Sequence, residues 1–188
     1  KVPYFDDTNG KMLSYQRRML AELANTLIDE AKSEPENRKI KAQKALEVLN
    51  VIEEKLPQKA YRYMMYMKNY VPKNEAIEIG QAYIELAGLL DDVSLKYKGL
   101  EVLKEAVSHA ADYYRYYHSL GKRAIYTTSN TGLTARNFFM TIDAYCRAGG
   151  DMSKLESLPE LKGIDLATAE NNWKLYYTRQ TLLNDARA

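Results

Sequence analysis

The chain is short of the residues that build most reactive or cross-linked sites. Cysteine occurs once among 188 residues, as Cys146, which excludes an internal disulfide framework and any multi-cysteine zinc or iron–sulfur site. Histidine occurs twice, at His109 and His118, too few for a three-histidine metal centre. Nine glycines and five prolines leave few helix breakers, which favours long helices. Neither sign of charge dominates. Lys and Arg number 27 against 25 Asp and Glu, a net charge of +2, so the concentrated basic face of a nucleic-acid binder is not expected. No apolar run approaches the ~18 residues of a membrane span. The densest stretch, Tyr63-Met64-Met65-Tyr66-Met67, is closed in by Arg62 and Lys68, so no membrane insertion is expected of this chain.

What is present is helical periodicity, nearly end to end. Leu13, Leu20, Leu23, Ala24, Leu27, Ile28 and Ala31 share one face of a first helix, predicted to start after Asp6-Asp7-Thr8. Ser33-Glu34-Pro35-Glu36-Asn37 breaks it. Ala42, Ala45, Leu46, Leu49, Ile52 and Leu56 stripe a second helix that stops before Pro57. Ala76, Ile79, Gly80, Tyr83, Leu86, Ala87 and Leu90 mark a third. Leu100, Leu103, Val107, Ala110, Ala111, Tyr114 and Tyr117 mark a fourth, entered after Asp91-Asp92. Phe138, Phe139, Ile142, Tyr145 and Cys146 form a fifth, closed by Gly149-Gly150. Leu166, Ala169, Trp173, Tyr176 and Leu183 form a last one. No sustained period-two pattern appears, so a sheet is not expected. Tyr61 to Tyr70 reads as either a short helix or an extended connector before Val71-Pro72, and Lys122 to Gly132 as either loop or helix.

Small residues at helix crossings point to a repeat. Leu20, Leu23-Ala24 and Leu27 fit helix A of a tetratricopeptide unit, and Ala45, Leu49, Ile52 and Pro57 fit its helix B. Ala76, Ile79-Gly80 and Tyr83, then Gly99, Leu103 and Ala106, repeat the scheme, with a stretched loop in each hairpin. The expectation is one all-α domain over 1–188. It comprises antiparallel hairpins at 1–58 and 72–120, followed by additional helices at 121–188.

Chemistry is harder to place. Glu105, His109 and Asp112 share a helix face, but no matching Glu-x-x-His element exists elsewhere, so they read as a solvated stripe and no metal is expected. Cys146 lies on an apolar face and reads as a small hydrophobe. No nucleophile elbow or phosphate-cradling glycine loop appears, the Asp6-Asp7 and Asp91-Asp92 pairs read as helix-start caps, and no cofactor is implied. The compositional oddity is tyrosine: sixteen against three phenylalanines, gathered at Tyr61, Tyr63, Tyr66, Tyr70 and at Tyr113, Tyr114, Tyr116, Tyr117. Consecutive residues span most of a helix circumference, so some of the second group must leave the core. Tyr61, Tyr63, Tyr66, Tyr113 and Tyr116 are the candidate interaction surface, an apolar ring with a polar tip suiting a protein or peptide partner, or a glycan.

Val2-Pro3-Tyr4-Phe5-Asp6-Asp7-Thr8-Asn9, Met12, and Arg17-Arg18-Met19-Leu20-Ala21-Glu22-Leu23-Ala24 resemble the opening of a C-terminal region found in a family of large bacterial multi-span membrane proteins. That family is of unknown function and distantly similar to protein O-mannosyltransferases. Val71-Pro72 before Ile79-Gly80-Gln81-Ala82-Tyr83, and Tyr116-Tyr117-His118-Ser119-Leu120, add to the likeness, which covers roughly residues 1–120. The segments 33–41 and 90–98 depart from the family's tighter hairpins. The resemblance implies a tetratricopeptide-like tail outside the cytoplasmic membrane, with catalytic acids in the spanning part, so no catalytic residue carries over. The chain starts at Lys1 rather than methionine, and the expectation is a piece of a longer, membrane-spanning parent. The expected role is therefore a non-catalytic interaction domain on the periplasmic side of a membrane-anchored, glycosyltransferase-like protein. The alternative is a free-standing cytoplasmic scaffold that binds peptides or proteins.

Overall fold

A computed structural model describes residues 7–58, 62, 65–68, 71–121 and 131–166. In chain order these form helices α1 (Asp7–Ser33) and α2 (Arg38–Lys55), then a hairpin of strands β1 (Met65–Lys68) and β2 (Val71–Asn74). Helices α3 (Glu75–Leu90), α4 (Val93–Ser119) and α5 (Thr131–Arg147) follow, then a short α6 (Met152–Glu156) and a 3-10 turn at Pro159–Leu161. The fold is all-α, as the periodicity predicts, and it is compatible with tetratricopeptide-like hairpins. Two compact units make up the chain, Lys1–Leu103 and Lys104–Ala188, and α4 runs through the division. The last predicted helix lies outside the described residues beyond Leu166, as does 122–130, while Thr131 and Gly132 open α5.

In the first unit α1 packs on α2 and α3, and α2 packs on α3. Small residues set the spacing: Ala21, Ala24 and Ala31 of α1 are buried in one cluster with Ala42, Ala45, Leu49 and Ile52 of α2. Lys41 bridges the turn between these helices, its Nζ donating to Glu30 and Glu34 at 2.8 Å each. The expected face of α1 needs one correction: Leu23 is exposed, while Ser14 and Arg17 are buried. Arg17 Nε lies 3.3 Å from a carboxylate oxygen of Glu75, both side chains 1% exposed, and Ser14 Oγ donates to the same carboxylate. Arg17 also donates to the Arg62 carbonyl at 3.2 Å. A second correction concerns the connector. Met65–Lys68 and Val71–Asn74 pair antiparallel, Met67 facing Pro72, where no sheet was expected. Proline withdraws the preceding residue from helical geometry, and at the rim of a two-stranded ribbon it costs no ladder bond. Asn74 ends the ribbon and caps α3, its side-chain oxygen accepting from the Ala76 and Ile77 amides at 2.9 and 3.4 Å.

In the second unit Tyr114 stacks on Phe138 at 5.6 Å between centroids, both rings buried. Gly149 closes α5 at φ 83°, and the Gly150 amide donates to the Tyr145 carbonyl at 2.9 Å, the expected glycine stop. Asp151 then caps α6, accepting from the Ser153 hydroxyl at 2.8 Å and the Ser153 amide at 3.0 Å, which together hold its carboxyl below the usual range. The sequence reading missed α6 because five residues are too few to show a period.

Within the first unit α3 and α4 approach closely at two glycines. A Cβ on Gly99 would stand 2.6 Å from the Gly80 carbonyl oxygen and 2.8 Å from Ile84 Cγ1, and one on Gly80 would stand 2.7 Å from Leu103 Cγ. Backbone cannot yield as a side chain can, so Gly99 is the stricter position. Gly88, also on α3, faces open space. Opposite signs follow. Gly99→Ala should lower stability by about 1–3 kcal/mol through overpacking. Gly88→Ala should raise it by about 0.5–1 kcal/mol through helix propensity alone. Urea unfolding of the two variants checks this, and a shift of the same sign in both would contradict the close approach.

Candidate interaction surface

A helix turns about 100° per residue, so the run Tyr113 to Tyr117 cannot face one way. Tyr114 takes the inner position, held between Phe138 and the ring of His118, 5.4 Å away and nearly parallel. Tyr113 and Tyr116, one turn apart, point outward at 50% and 59% exposure. Tyr116 meets Tyr117 edge to face at 5.1 Å. Between them Arg115 reaches the 3-10 turn, donating to the Pro159 and Lys162 carbonyls at 3.4 and 3.1 Å and also to that of Glu160. The exposed rings thus ride on a helix anchored from two sides, which lowers the entropy lost on binding a partner. Of the other predicted surface residues, Tyr66 belongs to β1 in the first unit, and its side chain lies outside the described residues. Tyr61 and Tyr63 lie outside them entirely.

The residues weighed for chemistry are placed as follows. Glu105 is exposed and His109 and Asp112 are half-buried on α4; among the described residues no group of three or more His, Cys, Asp or Glu is placed to hold a metal ion. Cys146 is half-buried, and burial, then the charge of Asp143, push its thiol up, away from the nucleophilic thiolate. No helix among the described residues is long and apolar enough to cross a membrane.

Two features escaped the sequence reading. One is a second apolar stripe on α1, of Met12, Tyr15, Met19 and Leu23, whose spacing was present in the sequence but which lies opposite the buried face. The other is Tyr83 on α3, expected only as core. It is 2% exposed, and its hydroxyl has no hydrogen-bond partner among the described residues. Lys98 Nζ sits 4.7 Å above the ring and is itself ion-paired with Glu53 of α2. Cation–π attraction and this ion pair tie α2, α3 and α4 together at one point. Burial, then the negative charge of Glu53, push the Tyr83 phenol well above its ordinary range. Comparison with protein-family models, curated proteins and solved structures finds no match for the chain.

The raised phenol value has a definite sign. The folded state disfavours phenolate, so the contribution is intact below pH ~10 and is lost as pH rises through and beyond that value. Tyr83→Phe keeps the ring under Lys98 and deletes the buried hydroxyl. It should equal or exceed the native stability at pH 7 by about 1 kcal/mol, because an unsatisfied buried group disappears. It should also lose less between pH 8 and 10.5. Denaturant midpoints at both pH values measure this; equal alkaline loss in the two proteins would contradict the placement.

Proposed function

We propose that this chain is a non-catalytic interaction domain whose recognition surface includes Tyr113 and Tyr116, carried by a larger membrane-anchored, glycosyltransferase-like protein. The observation that carries the interaction role is the outward placement of two tyrosines on a helix fixed by the Tyr114–Phe138 stack and by Arg115. Tyrosine is enriched at protein interfaces because it offers a large rigid ring with a hydrogen-bonding tip. The partner is a protein or peptide. What supports the membrane-anchored parent, and an extracytoplasmic location for the domain, is the resemblance of residues 1–120 to the tail of the multi-span family. Chemistry in such a parent belongs to its spanning region, and this domain holds an acceptor or a companion subunit.

A photo-crosslinking amino acid at position 113 or 116, incorporated in the source cell, should capture a discrete protein. The same label at Tyr97, exposed on the first unit, serves as the reference and should not capture it. For the captured partner, Tyr113→Ala with Tyr116→Ala should weaken affinity by about 10-fold or more, at ~1–2 kcal/mol for an aromatic anchor. Stability should stay unchanged, since both rings lie outside the core. Unchanged affinity, or equal capture from Tyr97, would dismiss this surface.

A further inference from the structure

The ribbon of the first unit has one open edge and one blunted edge. Among the described residues β1 and β2 pair only with each other, so each strand has an outer side. In an antiparallel ladder, pairs that exchange hydrogen bonds alternate with pairs whose N–H and C=O groups aim away from the partner strand. Met67 faces Pro72, and proline has no N–H to give, so this pair takes the second role. Met65–Asn74, two positions along, shares it, and Tyr66–Lys73 and Lys68–Val71 are the bonded pairs. Met65 and Met67 therefore aim complete sets of backbone donors and acceptors out of the far edge of β1. On the far edge of β2 the corresponding residues are Pro72, which lacks its donor, and Asn74, which passes directly into α3. Edge strands are ordinarily blunted by proline or charge. β2 has the proline, whereas β1 has only Lys68, at its end.

From this we infer that the open edge of β1 is covered by β1 of a second copy of this chain, running antiparallel about a twofold axis at Tyr66. In that register Met65 of each copy lies opposite Met67 of the other, so every outward N–H and C=O of both strands finds a partner. Tyr66 lies opposite its own counterpart. The two Lys68 positions stand about 14 Å apart along the strands, at ~3.4 Å per residue, so like charges are not set opposite each other. Two observations favour a second copy over an extended segment of another protein. First, the ribbon is held ready: Arg17 pairs with Glu75 after β2 and donates to the Arg62 carbonyl before β1. A flexible peptide would surrender its backbone freedom for a contact of four residues, whereas a second ribbon has already done so on folding. Second, the proline closes the assembly. In the resulting sheet, ordered β2, β1, β1, β2, neither outer strand offers a complete edge to a third copy. The contact is small beside a standard interface of about 800 Å² per partner, so the dimer forms and dissociates with concentration. The inference is independent of the Tyr113–Tyr116 surface, which lies in the other unit.

The test uses the full 188-residue chain. Sedimentation velocity from about 5 to about 500 µM should show a shift from monomer towards dimer with concentration, as mass action requires. Met67→Pro removes an outward N–H without touching a bond between β1 and β2, and should weaken self-association by about 10-fold or more. Tyr66→Lys sets like charges opposite each other at the axis, and should do the same with the backbone left intact. Both variants should keep the native circular dichroism. Met19→Lys, at an exposed position on α1, should leave the dimer unchanged. Register is read by oxidation in a Cys146→Ala background. Tyr66→Cys should cross-link to itself, since opposite residues of a non-bonded pair lie within disulfide reach. Lys68→Cys should stay uncross-linked. Monomer at every concentration, a dimer indifferent to both Met67→Pro and Tyr66→Lys, or cross-linking through Lys68→Cys rather than Tyr66→Cys would each overturn the proposal.

Discussion

One buried ion pair fixes the rotation of α1, and the exposed surface of the first unit follows from it. Arg17 and Glu75 are sealed from solvent, with Ser14 donating to the carboxylate. Turning α1 away would draw Arg17 into water and leave Glu75 buried without its cation, a loss of roughly 3–5 kcal/mol for an ion pair broken on one side. Against that, burying one more methionine gains about 1.5–3 kcal/mol. The ion pair wins. The polar residues Ser14 and Arg17 stay inside, and Met12, Tyr15, Met19 and Leu23 are left outside.

The same contact links chain segments that are far apart. Glu75 is the first residue of α3, directly after Asn74, which ends the ribbon and caps the helix. Holding Glu75 against α1 therefore places the start of α3, and the Gly80–Gly99 approach then draws α4 onto it. Farther along the same helices, Tyr83, Lys98 and Glu53 close the junction of α2, α3 and α4. The second unit relies on aromatic stacking instead, with Tyr114 against Phe138 and Arg115 bonded to the carbonyls of the 3-10 turn.

Much of the fold was legible because period and punctuation agree. Asp91 and Asp92 illustrate it. Asp91 ends α3 at φ 56°, while Asp92 accepts from the Ser94 amide at 2.9 Å and opens α4, where the sequence places the break. The alanine and glycine positions at the crossings were likewise readable, since only small side chains let helices approach. Three things were not. A periodicity argument assigns apolar residues inward and arginine outward, and Arg17 reverses this only because Glu75 is there to receive it. Ser14, which bonds the same carboxylate, is separated from it by 61 positions, beyond any local pattern. The ribbon escaped because four-residue strands containing proline carry no alternation. Of the surface tyrosines, the sequence required that some of Tyr113–Tyr117 leave the core. Which ones did so was decided by Phe138 on another helix, which stacks on Tyr114 and turns Tyr113 and Tyr116 out.

The reading proposed for this helical module, with Tyr113 and Tyr116 turned outward, is recognition on behalf of a membrane-anchored parent. The size and extraction behaviour of the native gene product test that reading most directly. An antibody raised against this domain should detect a species far larger than 21.6 kDa that resists salt washing and needs detergent for release. A salt-soluble band near 21.6 kDa would contradict the membrane-anchored account and leave the free-standing scaffold in its place.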